Sequence, residues 1–151
     1  MAAMNILEAL RVSHRTQREL SARLLADMQD ATERQRVFGE LKRELVAHET
    51  AEERCFYVPL FEHDATVDAS RHAIAEHHQM DEMVEALEQM DGDSAPWREC
   101  VRKLCDKIEH HLTEEEQKFF PQARRVLGEG QREALGKDYE AEFLTLRVRE
   151  G

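Results

Sequence analysis

Two pairs of residues in the 151-residue chain repeat one spacing: His48 stands four before Glu52, and His111 stands four before Glu115. Residues i and i+4 of a helix project one turn apart on the same side, so each pair can aim an imidazole and a carboxylate at one point. Such donors, with no thiolate among them, suit iron or manganese. Iron is favoured where nitrogen outnumbers oxygen, and zinc stays open on donor chemistry alone.

The elements that must position these groups are read from the apolar period. Four long stretches carry the 3.6-residue repeat, over about 4–30, 32–61, 68–90 and 96–127. Pro59 is a stop signal near the end of the second. Asp68 or Ser70 caps the third, and Gly92 ends it within Asp91-Gly92-Asp93-Ser94, which also supplies N-caps for the fourth. Pro96 falls in the first turn of that fourth helix, and Pro121 marks a bend in it. Gly128 and Gly130 then introduce a short terminal helix reaching Arg147.

Projecting each helix shows which polar residues share its apolar stripe. In the first, Leu7 and Leu10 lead through His14 to Ser21, Leu24 and Met28. The second reads Leu41, Leu45, His48, Glu52, Cys55 and Pro59. In the third, Ala73, Met80, Val84 and Leu87 hold His77 in register, while His78 shares a face with Asp81 and Glu85 and meets water. The fourth runs Trp97, Val101, Leu104, Ile108, His111 and Glu115 toward Lys118 or Phe119. Four histidines and two glutamates thus point inward. Buried carboxylates cost several kcal/mol unless paired or metal-bound. A dinuclear metal cage resolves that conflict. His63, His72, His78 and His110 are expected at solvent or rim positions, and the remaining members of Glu52-Glu53 and Glu114-Glu115-Glu116 on a solvated face.

Composition sets the frame. Charged residues reach 35% and aromatics only 6%, a profile of amphipathic helices in one all-α domain over residues 1–151. Formal net charge is -11 with no basic stripe, which opposes nucleic acid and anionic membrane. Met1 to Leu10 carries no signal-peptide pattern and no stretch has transmembrane length, so a cytoplasmic protein is expected, as a monomer or homodimer. Cys55, Cys100 and Cys105 have neither zinc-ribbon nor CxxC spacing and are read as reduced packing residues.

The segments His48-Glu49-Thr50-Ala51-Glu52-Glu53 to Tyr57-Val58-Pro59, and His111 to Glu115 followed by Phe119-Phe120-Pro121, resemble the two HxxxE signatures of hemerythrin HHE domains. The resemblance covers all four helices. It implies an antiparallel up-down four-helix bundle with two irons, ligated by His14, His48, His77 and His111 and bridged by Glu52 and Glu115. Animal oxygen-carrying hemerythrins present a further histidine four residues after the first in helix three, where this chain has Asp81. The chain is more similar to the bacterial branch with four histidines and two glutamates, some members of which are linked to iron-centre repair under nitrosative or oxidative stress. A shift of one residue would bring His110 or Glu116 into the helix-four pair instead.

Two irons of about six-coordinate preference offer roughly twelve positions, and this donor set with a bridging oxygen leaves about two open. The expected function is binding of dioxygen, nitric oxide or peroxide, for sensing or scavenging. A labile iron store or donor is the alternative. No catalytic residue is expected, and peroxide decomposition would be incidental.

Overall fold

The computed structural model describes residues 4–26 and 30–150. Helix α1 (Ile6–Leu25) opens on a capping box in which Asn5 and Glu8 satisfy each other's backbone N–H groups. It ends before the expected 30, and Met28 lies outside the described residues. Asp30 caps the next helix instead, accepting the Glu33 N–H at 2.8 Å. Helix α2 (Ala31–Glu52) continues through a π-helical turn, Glu53–Tyr57, into the short α3 (Val58–Leu60).

Helix α4 (Asp64–Glu88) starts earlier than the sequence signals suggest. Neither Asp68 nor Ser70 caps it: the Ser70 hydroxyl is buried and donates to the Thr66 carbonyl, and the Thr66 hydroxyl donates to that of Leu60. After α4 it is Asp93, not Gly92, that takes the left-handed conformation, with φ 72°. Its carboxylate is held by Arg34 and Arg98, which offsets the cost of that backbone. Ser94 caps α5 (Ala95–Glu114), with Pro96 in the first turn as expected.

A second π-helical turn, Glu115–Phe119, joins α5 to α6 (Phe120–Val126). In both long helices the π turn stands immediately before a proline-bearing segment. A proline ring collides with the carbonyl four residues earlier, and the wider turn makes room for it. Pro121 is therefore carried within a helix that runs on to Val126, whereas α3 ends at Leu60, one residue after Pro59, as that stop signal suggests. The extra residue in each turn also rotates the inward face. Phe56 and Tyr57 are buried where the uninterrupted period placed Cys55 and Pro59, and Phe119 and Phe120 are buried while Lys118 is exposed.

The helices form an all-α, up-down four-helix bundle, and α7 (Glu129–Glu150) is longer than the expected short terminal helix, packing along α1 and α2. Gly136 lets it approach: a Cβ there would meet the Met4 carbonyl oxygen, with Asn5 C at 2.8 Å. Two apolar clusters fill the bundle. One gathers Leu10, Phe56, Tyr57, Ala73 and Phe120 at one end, and the other gathers Leu20, Leu45, Met80, Trp97 and Ile108 at the opposite end. His14 of α1, His48 of α2, His77 of α4 and His111 of α5 lie at the level where the two clusters meet. No helix among the described residues is long and apolar enough to cross a membrane.

Candidate metal centre

All six residues expected to face inward are buried, at 0–2% exposure. They fall into two donor groups: His14, His48, Glu52 and Glu115 form one, and Glu52, His77, His111 and Glu115 the other. Within each group the donor atoms lie within 4.8 Å of one another, and both glutamates belong to both groups. His14 Nε2 stands 2.9 Å from Glu115 Oε1, and His77 Nε2 3.0 Å from Glu52 Oε1. The i,i+4 pairs are looser, with His48 Nε2 3.5 Å from Glu52 Oε1 and His111 Nε2 3.6 Å from Glu115 Oε2.

The Nε2 atoms of all four histidines, both carboxylate oxygens of Glu52 and Oε1 of Glu115 are buried without a hydrogen bond. Unsatisfied buried polar atoms are rare in folded proteins, and seven converging on one layer call for a partner that accepts nitrogen and oxygen donors. A bound metal cation meets that requirement.

Each imidazole is pinned from its other nitrogen. His14 Nδ1 lies 2.6 Å from Glu116 Oε2, His77 Nδ1 2.8 Å from Glu53 Oε2 and His111 Nδ1 2.8 Å from Glu76 Oε1. His48 Nδ1 meets the Tyr139 hydroxyl at 2.8 Å. With an acceptor at Nδ1 the ring carries its proton there, and Nε2 presents a lone pair to the cage. The Tyr57 hydroxyl donates to Glu115 from the apolar side.

Charge in the metal-free chain follows from this arrangement. Burial depresses the His14 imidazolium, but the adjacent Glu115 and Glu116 carboxylates outweigh it and raise the pKa to about 9. His77 is also raised well above the usual range, its burial offset by Glu52 and Glu53. Burial raises the Glu52 carboxyl, yet His48 and His77 hold it well below the usual carboxylate range. Protonated imidazoles thus stand in for cations against the buried carboxylates.

The outer partners were not legible as such in the sequence. Glu53 and Glu116, expected on a solvated face, each back a histidine. The doubled glutamate at the end of both HxxxE motifs was the available signal. Glu76 directly precedes His77 yet serves His111, and Tyr139 is 91 residues from the ring it holds. Asp81, His110 and Glu116 are in neither inner group. His110 is exposed, and Asp81 hydrogen-bonds the buried Glu49, whose carboxyl burial and Asp81 raise well above its usual pKa. Cys55, Cys100 and Cys105 are free thiols.

A family model described as the hemerythrin HHE cation binding domain matches residues 5–123. The chain is similar in structure to a hemerythrin HHE cation binding domain-containing protein from Mycobacterium kansasii, with a TM-score of 0.86 and 24% identity, covering 97% of this chain and 89% of that one. It is also 25% identical over 148 residues to a DNA nickase from Nostoc sp., a match covering 98% of this chain and 42% of that protein. The chain thus spans well under half of that relative's length.

Proposed function

Because the chain belongs to the hemerythrin HHE cation-binding family, we propose that its buried layer holds two iron ions and uses them to bind a small oxidant or diatomic: dioxygen, nitric oxide or peroxide. His14 and His48 would hold one ion, His77 and His111 the other, with Glu52 and Glu115 shared between them. One observation carries this reading: four imidazole Nε2 atoms and two shared carboxylates converge unsatisfied, while every Nδ1 is fixed from outside. A bound iron pair supplies open coordination positions and a change of oxidation state.

The chain's own part is to hold, orient and shelter. Glu116, Glu53, Glu76 and Tyr139 fix the ring planes, so the donors are preorganised. Phe120 stacks on the His14 ring at 5.7 Å between centroids, and Tyr57 and Phe56 close the same side. Access is thereby confined to small ligands. Two glutamates against four histidines place less anionic charge at the metals than a four-glutamate di-iron cage does, which favours reversible binding over oxidase chemistry. The burial of all six donors also favours retention over donation of iron. The nicking activity named for the Nostoc relative is not part of this reading, since a net charge of -11 repels a phosphate backbone.

The test is metal content after expression in iron-replete medium, then anaerobic spectra before and after oxygen and nitric oxide. About two irons per chain with ligand-dependent charge-transfer bands are expected for such a dinuclear bundle site. Metal-free protein, or a single zinc, would overturn the reading. Slow loss to a chelator supports ligand binding, and loss within minutes supports donation.

A further inference from the structure

Outside the inner layer, a third set of donors meets on the face between α4 and α5: His72, Glu76 and Glu114 bring one ligand atom each within 4.8 Å of the others. His72 Nε2 lies 2.8 Å from Glu114 Oε1 and 3.5 Å from Glu76 Oε1. Glu114 Oε1 is itself shielded from solvent and has no hydrogen bond. This repeats the pattern of the inner layer, where imidazole and carboxylate atoms stand as close as 2.9 Å without hydrogen-bond geometry between them. An open cleft of about 440 Å³, lined by Asp68, His72, Glu114 and Phe119, gives the group direct access to solvent. The Phe119 ring packs edge-on at 5.9 Å and limits how the imidazole can turn.

We propose that His72, Glu76 and Glu114 form a separate divalent transition-metal site on the outside of the bundle, joined to the inner layer through Glu76. The side chain of Glu76 is almost fully buried and its two oxygens have different duties. Oε2 faces Lys107 Nζ at 3.2 Å. Oε1 accepts from His111 Nδ1 at 2.8 Å and keeps its second lone pair for the His72 side. One carboxylate oxygen therefore serves both an inner histidine and the outer group. One nitrogen and two carboxylates, with remaining positions filled by water, make a weaker and faster-exchanging site than the closed inner layer. The outer site is a loading position from which metal passes inward. The loading role rests on the reading of the inner layer as a metal centre; the outer site itself does not.

Anaerobic titration with cobalt(II), followed by calorimetry and visible absorption, tests both parts. The wild-type chain is expected to take one equivalent more than the inner layer holds, with lower affinity. His72→Ala, at an exposed position, and Glu114→Gln, at a half-buried one, are expected to weaken that last equivalent on the order of tenfold or more while sparing the tight ones. Both variants should also load the inner layer more slowly at limiting cobalt. An inner variant, His48→Ala with its helical circular dichroism checked, should keep the weak equivalent. If wild type and His72→Ala bind the same number with the same affinities, the outer site does not exist and the cluster is an ion pair only. If wild type binds only the weak equivalent and His72→Ala binds none, the inner reading fails and the outer site stands. Unchanged loading rates with the weak equivalent lost would overturn the loading role.

Discussion

The Nδ1 atom of His48 lies 2.8 Å from the hydroxyl of Tyr139, so the one imidazole of the layer without a carboxylate behind it is held by a phenol from α7. A carboxylate partner gives a ligating ring more imidazolate character than a neutral hydroxyl does. The two donor groups are consequently unequal. Both rings of the His77 and His111 group have carboxylate partners, whereas the other group has one, on His14. Tyr139 is tied in turn to Ser13, whose hydroxyl donates to Glu44 at 2.6 Å.

Tyr139→Phe removes the hydroxyl that holds His48 and, with it, the link to Ser13. Metal affinity is expected to fall about 10- to 100-fold at one position and to change little at the other. Chelator competition should show the two phases of release moving further apart than in the unaltered chain. A uniform loss at both positions would show that Tyr139 acts through general packing.

Glu52 and Glu115 each belong to both donor groups, whereas His14 belongs to one. Glu52→Gln is therefore expected to drop iron content from about two to below one per chain, and His14→Ala to leave about one. Elemental analysis of matched preparations decides this. Retention of both metals in Glu52→Gln would mean that the carboxylate does not bridge.

Metal-free protein should be most stable in mildly acidic solution. His14 has a folded pKa of about 9 against an ordinary 6.5, so its contribution is complete below 6.5 and is lost as pH rises through about 9. Burial raises the Glu116 carboxyl, but His14 and Arg18 draw it down to about 2 from 4.5, so its contribution holds above 4.5 and is lost as pH falls through about 2. Urea midpoints of the metal-free chain are expected to peak between about 4.5 and 6.5 and to decline by pH 9. A midpoint still rising at pH 9 would contradict this.

The same protons must leave when metal binds. The carboxylates around His14 and His77 favour the protonated rings in the metal-free chain, so loading is expected to release protons. Calorimetric enthalpies measured in buffers of different ionisation enthalpy will diverge accordingly. Identical enthalpies would show that the rings enter the reaction neutral.

Gly136→Ala sets a methyl group against the backbone at Met4 to Ile6, where neither side is a flexible chain end. A loss of about 1–3 kcal/mol is expected, typical of overpacking. Since Tyr139 rides on the same helix, the variant should also weaken metal binding, detectable by the same chelator assay. Full stability with normal metal retention would show that α7 can shift without cost.

The inward-facing polar residues were legible because a single turn of helix fixes what shares its face: His48 with Glu52 and His111 with Glu115 needed only the 3.6 period. His14 and His77 followed from the leucines and methionines around them. Legibility failed where the period itself changed. Each π turn adds a residue, so Cys55 gave up its inward position to Phe56 and Tyr57. It failed again where the partner lies on another helix, because nothing local to Tyr139 announces His48. Asp93 shows a third limit, since long-range arginines make the strained backbone tolerable beside a glycine that does not need to adopt it.

The polar layer divides the apolar interior into two clusters of similar make-up, one at each end of the bundle. Hydrophobic burial stabilises each end, and across the middle they are joined by a layer of imidazole and carboxylate with Phe120, Tyr57 and Tyr139 packed against it. Cooperativity between the ends therefore passes through whatever occupies that layer. With cations bound, the two ends are expected to unfold together. Without the cations, and at alkaline pH where His14 gives up its proton, the urea transition is expected to broaden as the two ends begin to open separately.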